Sequence, residues 1–425
     1  MVDPTVEPVP QAVAAAPTFG RLGRRVSALS HAQFRVYWVG ILLSEGANNM
    51  FLVASAWLVY ELAKPPLNVA LLLGALGFCR MIPMCVLVLI GGVAADRFGR
   101  RRILLATNAT AAIVALTFAF LSFADRLNVW LVLLAAFLMG CTMAFNRPAH
   151  QAFIHDLVVE HTLHNAVALI GLNQNAVRIG APLLAGGLLA AGGGTAALLC
   201  VAGGYAGMVA LMLTLRMRTT SIARTNALSS LGEVFRYIRS DPTVRGLLLI
   251  ETIPGLFALP YTTLLPIFAG SVFHRGADGL GLMQSMVGIG ALGGTVTLTA
   301  MSSNLRHRGA LLLCAIATFG MALILFGLIH DWPLALVLLA VIGMSDAFYI
   351  FTINGLLLAR SPAHLRGRVM SVFTLADVGM SPLGSVLIGG FAGVFGATVA
   401  LAASGGVTVA LVSAAATRFP RMRRM

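Results

Sequence analysis

The stretch Gly92-Val93-Ala94-Ala95-Asp96-Arg97-Phe98-Gly99-Arg100-Arg101-Arg102 lies between two apolar runs, each long enough to cross a bilayer. Three consecutive arginines resist translocation, so a turn of this kind fixes which side of the membrane it faces. Glycines at 92 and 99 are expected to let the two helix ends approach closely. The stretch reads as a short cytoplasmic hairpin, and every other loop takes its side from it by alternation.

Of the 425 residues, 58% are hydrophobic and 10% charged, with a mean hydropathy of +0.90. Such values exclude an ordinary soluble chain and indicate a polytopic membrane protein, with the lipid bilayer as its first partner. The net charge of +14 does not point to nucleic acid, because the arginines sit between apolar runs and at the chain ends rather than along one amphipathic face. Cys79, Cys85, Cys141, Cys200 and Cys314 lie inside apolar segments without paired spacing and read as small buried residues. His150, His155, His161 and His164 fall in a stretch read as one cytoplasmic loop. Their irregular spacing, with Asp156 and Glu160 among them, argues for a solvated loop over a metal site. No Walker sequence and no convincing nucleophile-base set stands out, so neither an enzyme, nor an ATP-driven pump, nor a cofactor is expected.

A spanning helix needs about 20 mostly apolar residues. Counting such runs predicts spans near 36–60, 68–94, 102–123, 128–146, 164–190 and 195–215, then 245–272, 279–301, 308–329, 333–358, 368–393 and 396–417. That is twelve transmembrane helices in two sets of six. With both termini inside, the outer loops hold only Lys64, Arg126 and Arg275, Arg80 and Arg178 fall within spans, and the other 24 arginines are cytoplasmic. The expected division is a disordered cytoplasmic tail (1–32), an N-terminal bundle (33–215), a linker (216–243), a C-terminal bundle (244–417) and a basic cytoplasmic tail (418–425). Within the linker, apolar residues at 231, 234, 235 and 238 have helical spacing, and Asp241-Pro242 ends the pattern.

Gly92, Asp96, Arg97, Gly99, Arg100 and Arg101 match a pattern, G-x-L-A-D-R-x-G-R-R/K, and the chain here resembles the major facilitator superfamily. The linker leading into Arg245 resembles that of a bacterial exporter branch, the one that includes enterobactin-type siderophore and multidrug exporters. The resemblance covers roughly 33–417 and implies an all-α membrane fold of two pseudo-symmetric six-helix bundles, with a cavity near mid-membrane and transport by rocking of the halves. It implies a bacterial inner-membrane protein, expected to be monomeric. It also implies that the acid and arginines of the pattern brace a cytoplasmic gate against the eleventh helix; on topology alone, they are no more than a basic loop.

A charge in the hydrocarbon core costs at least about 2.5 to 3.5 kcal/mol, so each one is a functional candidate. They are Glu45, Arg80, Arg178, Glu251, Asp346 and Asp377. Asn48 and Asn49 stand at i+3 and i+4 from Glu45 and share its face. Glu45 and Arg80 reach similar depth on sequential helices, so they are read either as a protonation switch or as a static ion pair. Arg178 sits in Asn175-Ala176-Val177-Arg178-Ile179-Gly180-Ala181-Pro182-Leu183-Leu184-Ala185-Gly186-Gly187, which resembles the superfamily's fifth-helix export motif; Ala181 separates Gly180 from Pro182. Its glycines are expected to permit close helix contact and Pro182 a bend. Glu251 precedes Pro254, Pro260 and Pro266, marks of a bent, gating helix, and is read as a coupling group or as an interfacial partner of Arg245. Asp377 follows Gly367 by the same ten residues that separate Asn165 from Asn175, so duplication is expected to place Asp377 and Asn175 on one cavity.

The resemblance implies an arginine in the fourth span of proton antiporters, and 128–146 contains none, leaving Arg80 as its substitute or a different coupling. These residues support a secondary transporter that exports an amphiphilic small molecule in exchange for protons. Glu45, Asp377, Asp346 and Glu251 are the proton candidates, and Asn48, Asn49, Arg80, Asn175 and Arg178 line the cavity. Import of a small metabolite, or a receptor that keeps the fold without flux, are the alternatives.

Overall fold

A computed structural model describes residues 27–64, 67–158, 160–215, 231–301, 307–362 and 365–418. Residues 27–30 form a 3-10 turn and the first helix starts at Ala32, inside the predicted N-terminal tail. The predicted tails except for 27–32 and Arg418, the linker before 231, most of the 303–309 loop and Ala363-His364 lie outside the described residues. The same holds for the side chains of Asp96, His155, Glu160, His161, His164 and Asp377.

Helices account for almost all of the described chain, because a lipid-exposed backbone must satisfy its own polar groups. In order they are α1 (Ala32–Leu62), α2 (Val69–Phe98), α3 (Arg100–Phe123), α4 (Val129–Leu157), α5 (Glu160–Thr214), α6 (Leu231–Ser240), α7 (Pro242–Ile253), α8 (Gly276–Met301), α9 (Arg308–Leu328), α10 (Trp332–Arg360), α11 (Arg366–Phe395) and α12 (Ala397–Arg418). Side chains cap several starts. Asn68, Asn128 and Asp331 accept from the amides of Leu71, Leu131 and Leu334 at 3.2, 3.0 and 3.0 Å.

Ten segments among the described residues are long and apolar enough to cross a membrane. One of them, Asn165–Thr214, has 50 residues. At about 1.5 Å per residue it is roughly 75 Å long, more than twice a hydrocarbon core. It folds back at Gly193, whose φ of 64° and ψ of −164° lie in a region open essentially to glycine. α1 is not among the ten, although it runs for 31 residues; Glu45, Asn48 and Asn49 dilute its apolar character.

The arginine-rich turn is tighter than predicted. α2 continues to Phe98 and α3 starts at Arg100, so Gly99 alone, at φ 89°, makes the connection. Gly92 has open space beside it; the close approach falls one residue earlier, where Gly91 meets the Ala144 carbonyl. α4 also outruns its predicted end. It continues through Arg147, Pro148 and His150 to Leu157, so these residues are helical rather than in a loop. None of the five cysteines is buried; Cys200 and Cys314 are exposed.

Within the N-terminal bundle α1 packs on α5, α2 on α4 and α3 on α5; within the C-terminal bundle α8 packs on α10 and α9 on α12. The bundles meet along α2 with α11 and α5 with α8. Past Ile253 the seventh span is irregular. Wide π-type turns at Pro254–Ala258 and Phe268–Val272 flank a tighter 3-10 turn at Leu259–Thr263, because Pro254, Pro260 and Pro266 each withdraw a backbone donor.

Candidate functional site

Two charged clusters sit near mid-depth. The first lies inside the N-terminal bundle, where Gly140 lets α4 lie directly against the backbone of Arg80 on α2. Arg80 is 8% exposed. Its Nη2 donates to Asn48 Oδ1 at 2.8 Å and approaches Met143 Sδ at 3.9 Å, and the guanidinium lies 6.0 Å from the Phe51 ring centre. Glu45, Arg147 and the phenol of Tyr205 are within its electrostatic reach. Glu45 and Arg80 are not within ion-pair distance, so of the two readings the static pair is not formed here; Asn48 holds Nη2 instead. Asn49 turns away from the cluster and donates to the Glu45 carbonyl at 2.9 Å.

Arg147, Tyr205, Tyr37 and His150 were not legible as site residues. Arg147 is exposed on the polar extension of α4 and acts on Glu45 together with Arg80. It stands on α4 just beyond the predicted span of 128–146, which contains no arginine. His150 Nδ1 shares a 2.7 Å hydrogen bond with the hydroxyl of fully buried Tyr37, and Tyr37 meets Phe153 edge-on at 5.0 Å. The run Asn146-Arg147-Pro148 reads as the end of a span, and nothing local shows that the helix continues.

The second cluster joins the bundles. Arg178 Nη2 on α5 lies 3.7 Å from Asp346 Oδ2 on α10, with Tyr261 of the seventh span within reach of both charges. Close contacts between the bundles run from this pair toward the end that carries Asn68 and Gly393. Ser285 Oγ donates to the Ile179 carbonyl at 2.7 Å, Asn68 Nδ2 to the Gly393 carbonyl at 3.0 Å, and Tyr60 and Ser271 share a 2.8 Å bond. Gly74, Gly186, Gly281 and Gly389 leave no room for a side chain between α2 and α11 or α5 and α8. Gly180 and Gly187 have open space instead, and α5 continues through Pro182 in helical geometry; the turn between the fifth and sixth predicted spans falls at Gly193, between 190 and 195.

Of the remaining candidates, the side chain of Asp377 lies outside the described residues. Glu251 is 0% exposed on α7, while Arg245 on the same helix is exposed. Asn175 donates to its own helix at the Gly171 carbonyl, 2.9 Å away. In the arginine-rich turn, Arg100 pairs with Asp156 at 2.7 Å and donates to the Ala152 carbonyl at 3.0 Å. Arg101 donates to the Met212 carbonyl, also at 3.0 Å, and so caps the C-terminal end of α5. Arg97 lies over the Phe98 ring. These contacts of Arg100 and Arg101 brace the N-terminal bundle; the side chain of Asp96, the acid of the expected gate, lies outside the described residues. An apolar groove of about 560 Å³ lies between α2, the seventh span and α11, lined by Phe78, Leu256 and Met380 among others. Among the described residues no group of His, Cys, Asp and Glu is placed to hold a metal.

Two helical bundles, sealed by close glycine contacts at one end and joined at mid-depth by an ion pair, define a multi-pass membrane transporter. The chain belongs to the transmembrane secretion effector family of the major facilitator superfamily, whose pattern matches residues 24–425. It is 26% identical over 396 residues to the multidrug efflux pump Tap of Mycolicibacterium fortuitum, covering 90% of this chain and 95% of Tap. It is 25% identical over 334 residues to the staphyloferrin A transporter of Staphylococcus aureus, covering 77% and 82% of the two chains. Against the enterobactin exporter EntS of Citrobacter koseri the identity is 25% over 312 residues, covering 72% and 73%. The fold is similar to a bacterial homologue of the human lysosomal transporter Spinster in an inward-facing, occupied conformation, at a TM-score of 0.71 and 14% identity over 92% of this chain and 98% of that one. It is likewise similar to a POT family transporter in complex with 5-aminolevulinic acid, at a TM-score of 0.71 and 12% identity over 91% and 96%.

Proposed function

We propose that the protein is a proton antiporter that exports an amphiphilic small molecule, of the drug or siderophore kind, across a bacterial inner membrane. The observation that carries this reading is the Arg178–Asp346 pair, an acid and a base that join the two bundles at mid-depth. Rocking of the halves changes the distance across it. In the outward-open state the pair is broken and Asp346, without its cation, takes a proton from outside; as the halves return, the approach of Arg178 expels that proton to the cytoplasmic side, and the pair and the seal re-form. One proton crossing a 100 mV potential supplies about 2.3 kcal/mol, enough to bias such a step. Relatives named as exporters of a siderophore and pumps of drugs support the direction and the substrate class.

Twelve crossings follow if Asn165–Thr214 counts as two and α1 is added to the ten apolar segments. The arginine-rich end is then cytoplasmic by the positive-inside rule, with both termini there, and the sealed end faces outward. The protein works as a monomer, with its bundles at 33–215 and 244–417. The test is accumulation of fluorescent drugs and of catecholate and hydroxamate siderophores in everted vesicles, with and without an imposed pH gradient. Gradient-driven uptake should be lost in Asp346→Asn while the variant still reaches the membrane. Uptake indifferent to the gradient would replace antiport with facilitated diffusion.

A further inference from the structure

Arg80 is enclosed without a counter-charge. Its Nη2 is held by Asn48, an amide that supplies a hydrogen bond but no negative charge, and Nη1 is buried with no hydrogen-bond partner. No carboxylate lies within ion-pair distance of it among the described residues; the pairs there are Arg100–Asp156 and Arg178–Asp346. Glu45 is the one acid in its neighbourhood and is shared with a second cation, Arg147. Two arginines against one carboxylate leave the cluster positive, and an enclosed unpaired cation is costly unless an anion completes it. A guanidinium with one nitrogen committed and the other unpaired has a donor left for a planar carboxylate. Phe51 and the Met143 thioether supply apolar surface beside that position, and exposed Arg147 marks the side from which a ligand arrives.

We propose that this cluster of α1, α2, α4 and α5 binds a carboxylate carried by an amphiphilic substrate, with Arg80 as the principal anchor and Arg147 as the steering charge. The inference deepens the export reading by naming the anionic class of its substrate. Asn48 then holds the guanidinium in place while leaving its charge for the ligand.

The test is equilibrium binding of fluorescein and of fluorescein methyl ester, which lacks the carboxylate, to the purified full-length protein, read by fluorescence polarisation. The wild type should bind the acid at least about tenfold more tightly than the ester, the scale of one charge-assisted contact. Arg80→Gln should bind both dyes alike, at the affinity of the ester. Asn48→Asp, which places an internal carboxylate where the amide oxygen now stands, should do the same with little change in size. If Arg80→Gln does not fold, Asn48→Asp decides the matter alone. The proposal is overturned if the wild type shows no saturable binding of the acid, if it binds acid and ester equally, or if the preference survives in Asn48→Asp. Binding is read without transport, so a carboxylate preference in a protein that shows no gradient-driven uptake would sustain the site and sink the antiport reading alone.

Discussion

Removing the Asp346 charge should open the sealed end. At 3.7 Å the Arg178–Asp346 pair has a gross attraction of about 4.5 kcal/mol at an effective dielectric of about 20. The Arg178 side chain is 56% exposed, and solvent screening reduces the net value toward that of a surface pair, about 1 kcal/mol. Loss of about 1 kcal/mol shifts the equilibrium between sealed and open states roughly fivefold. Ala70 reports on that equilibrium, since it is 5% exposed and its carbonyl lies against Gly389 across the bundle interface. In a background without the five native cysteines, Ala70→Cys should react with a membrane-permeant maleimide roughly fivefold faster in Asp346→Asn than in the parent. Arg178→Gln should give the same rise, and the double variant no more than either single one, because all three lose a single interaction. Measured relative to a free thiol at the same pH, which corrects for the loss of thiolate, acid should accelerate labelling of the parent and leave Asp346→Asn unchanged. A cysteine at Ala197, buried in the N-terminal bundle, should label slowly throughout. An unchanged rate at position 70 in Asp346→Asn, or additive effects in the double variant, would refute the role of the pair as a latch.

Three further predictions concern the scaffold. A Cβ at Gly389 would lie 2.5 Å from the Ala70 carbonyl, so Gly389→Val should prevent sealing and reduce vesicle uptake more than about tenfold, with normal membrane insertion as the control. Gly193→Ala meets no neighbouring atom but forces a side chain into φ 64°, ψ −164°; thermal unfolding should show a loss of about 1 to 3 kcal/mol, and an unshifted transition would show the turn to be adaptable. Tyr237 on α6 donates to the Arg360 carbonyl at 3.0 Å, and partial burial, with the nearby Asp241 charge, pushes its hydroxyl above the ordinary tyrosine range. Folding favours the protonated phenol, so docking of α6 holds at neutral pH and weakens as pH rises through the ordinary tyrosine value toward the raised one; absorbance titration against Tyr237→Phe should place this residue's midpoint above 10, the unperturbed value.

The helices were legible because lipid forces the choice. A 20-residue apolar run has no other stable form in a bilayer, and the turns between runs had to fall near Gly99 and Gly193. The contacts between helices were less so, because they depend on rotation about each axis, which composition does not encode. One residue turns the helix by about 100°, so Gly92 was expected at an interface that Gly91 in fact occupies. Asn48 and Asn49 were assigned one face, yet one holds Arg80 and the other returns to its own backbone. Arg147 was missed for a different reason. Its apolar run stops, but α4 does not, since Arg100 ties down the Ala152 carbonyl and Asp156 a turn or two beyond.

The pairing of Arg178 with Asp346 had no local signature, since the two lie on different bundles and only packing brings them together. It also changes the order of the candidates for coupling. Glu45 and all the groups around it, Asn48, Arg80, Arg147 and Tyr205, belong to helices of one bundle, and a rigid rocking motion leaves the distances among them unchanged. A charge whose surroundings move with it feels the motion only through solvent access. Asp346 faces a cation on the opposite bundle, so in the proposed cycle its partner would be gained and lost. A proton bound there acts on the conformational equilibrium directly, whereas one bound at Glu45 acts through the field of Arg80 and Arg147. The geometry therefore favours a division of labour, in which the pair across the bundles sets conformation and the cluster within the N-terminal bundle sets what is bound.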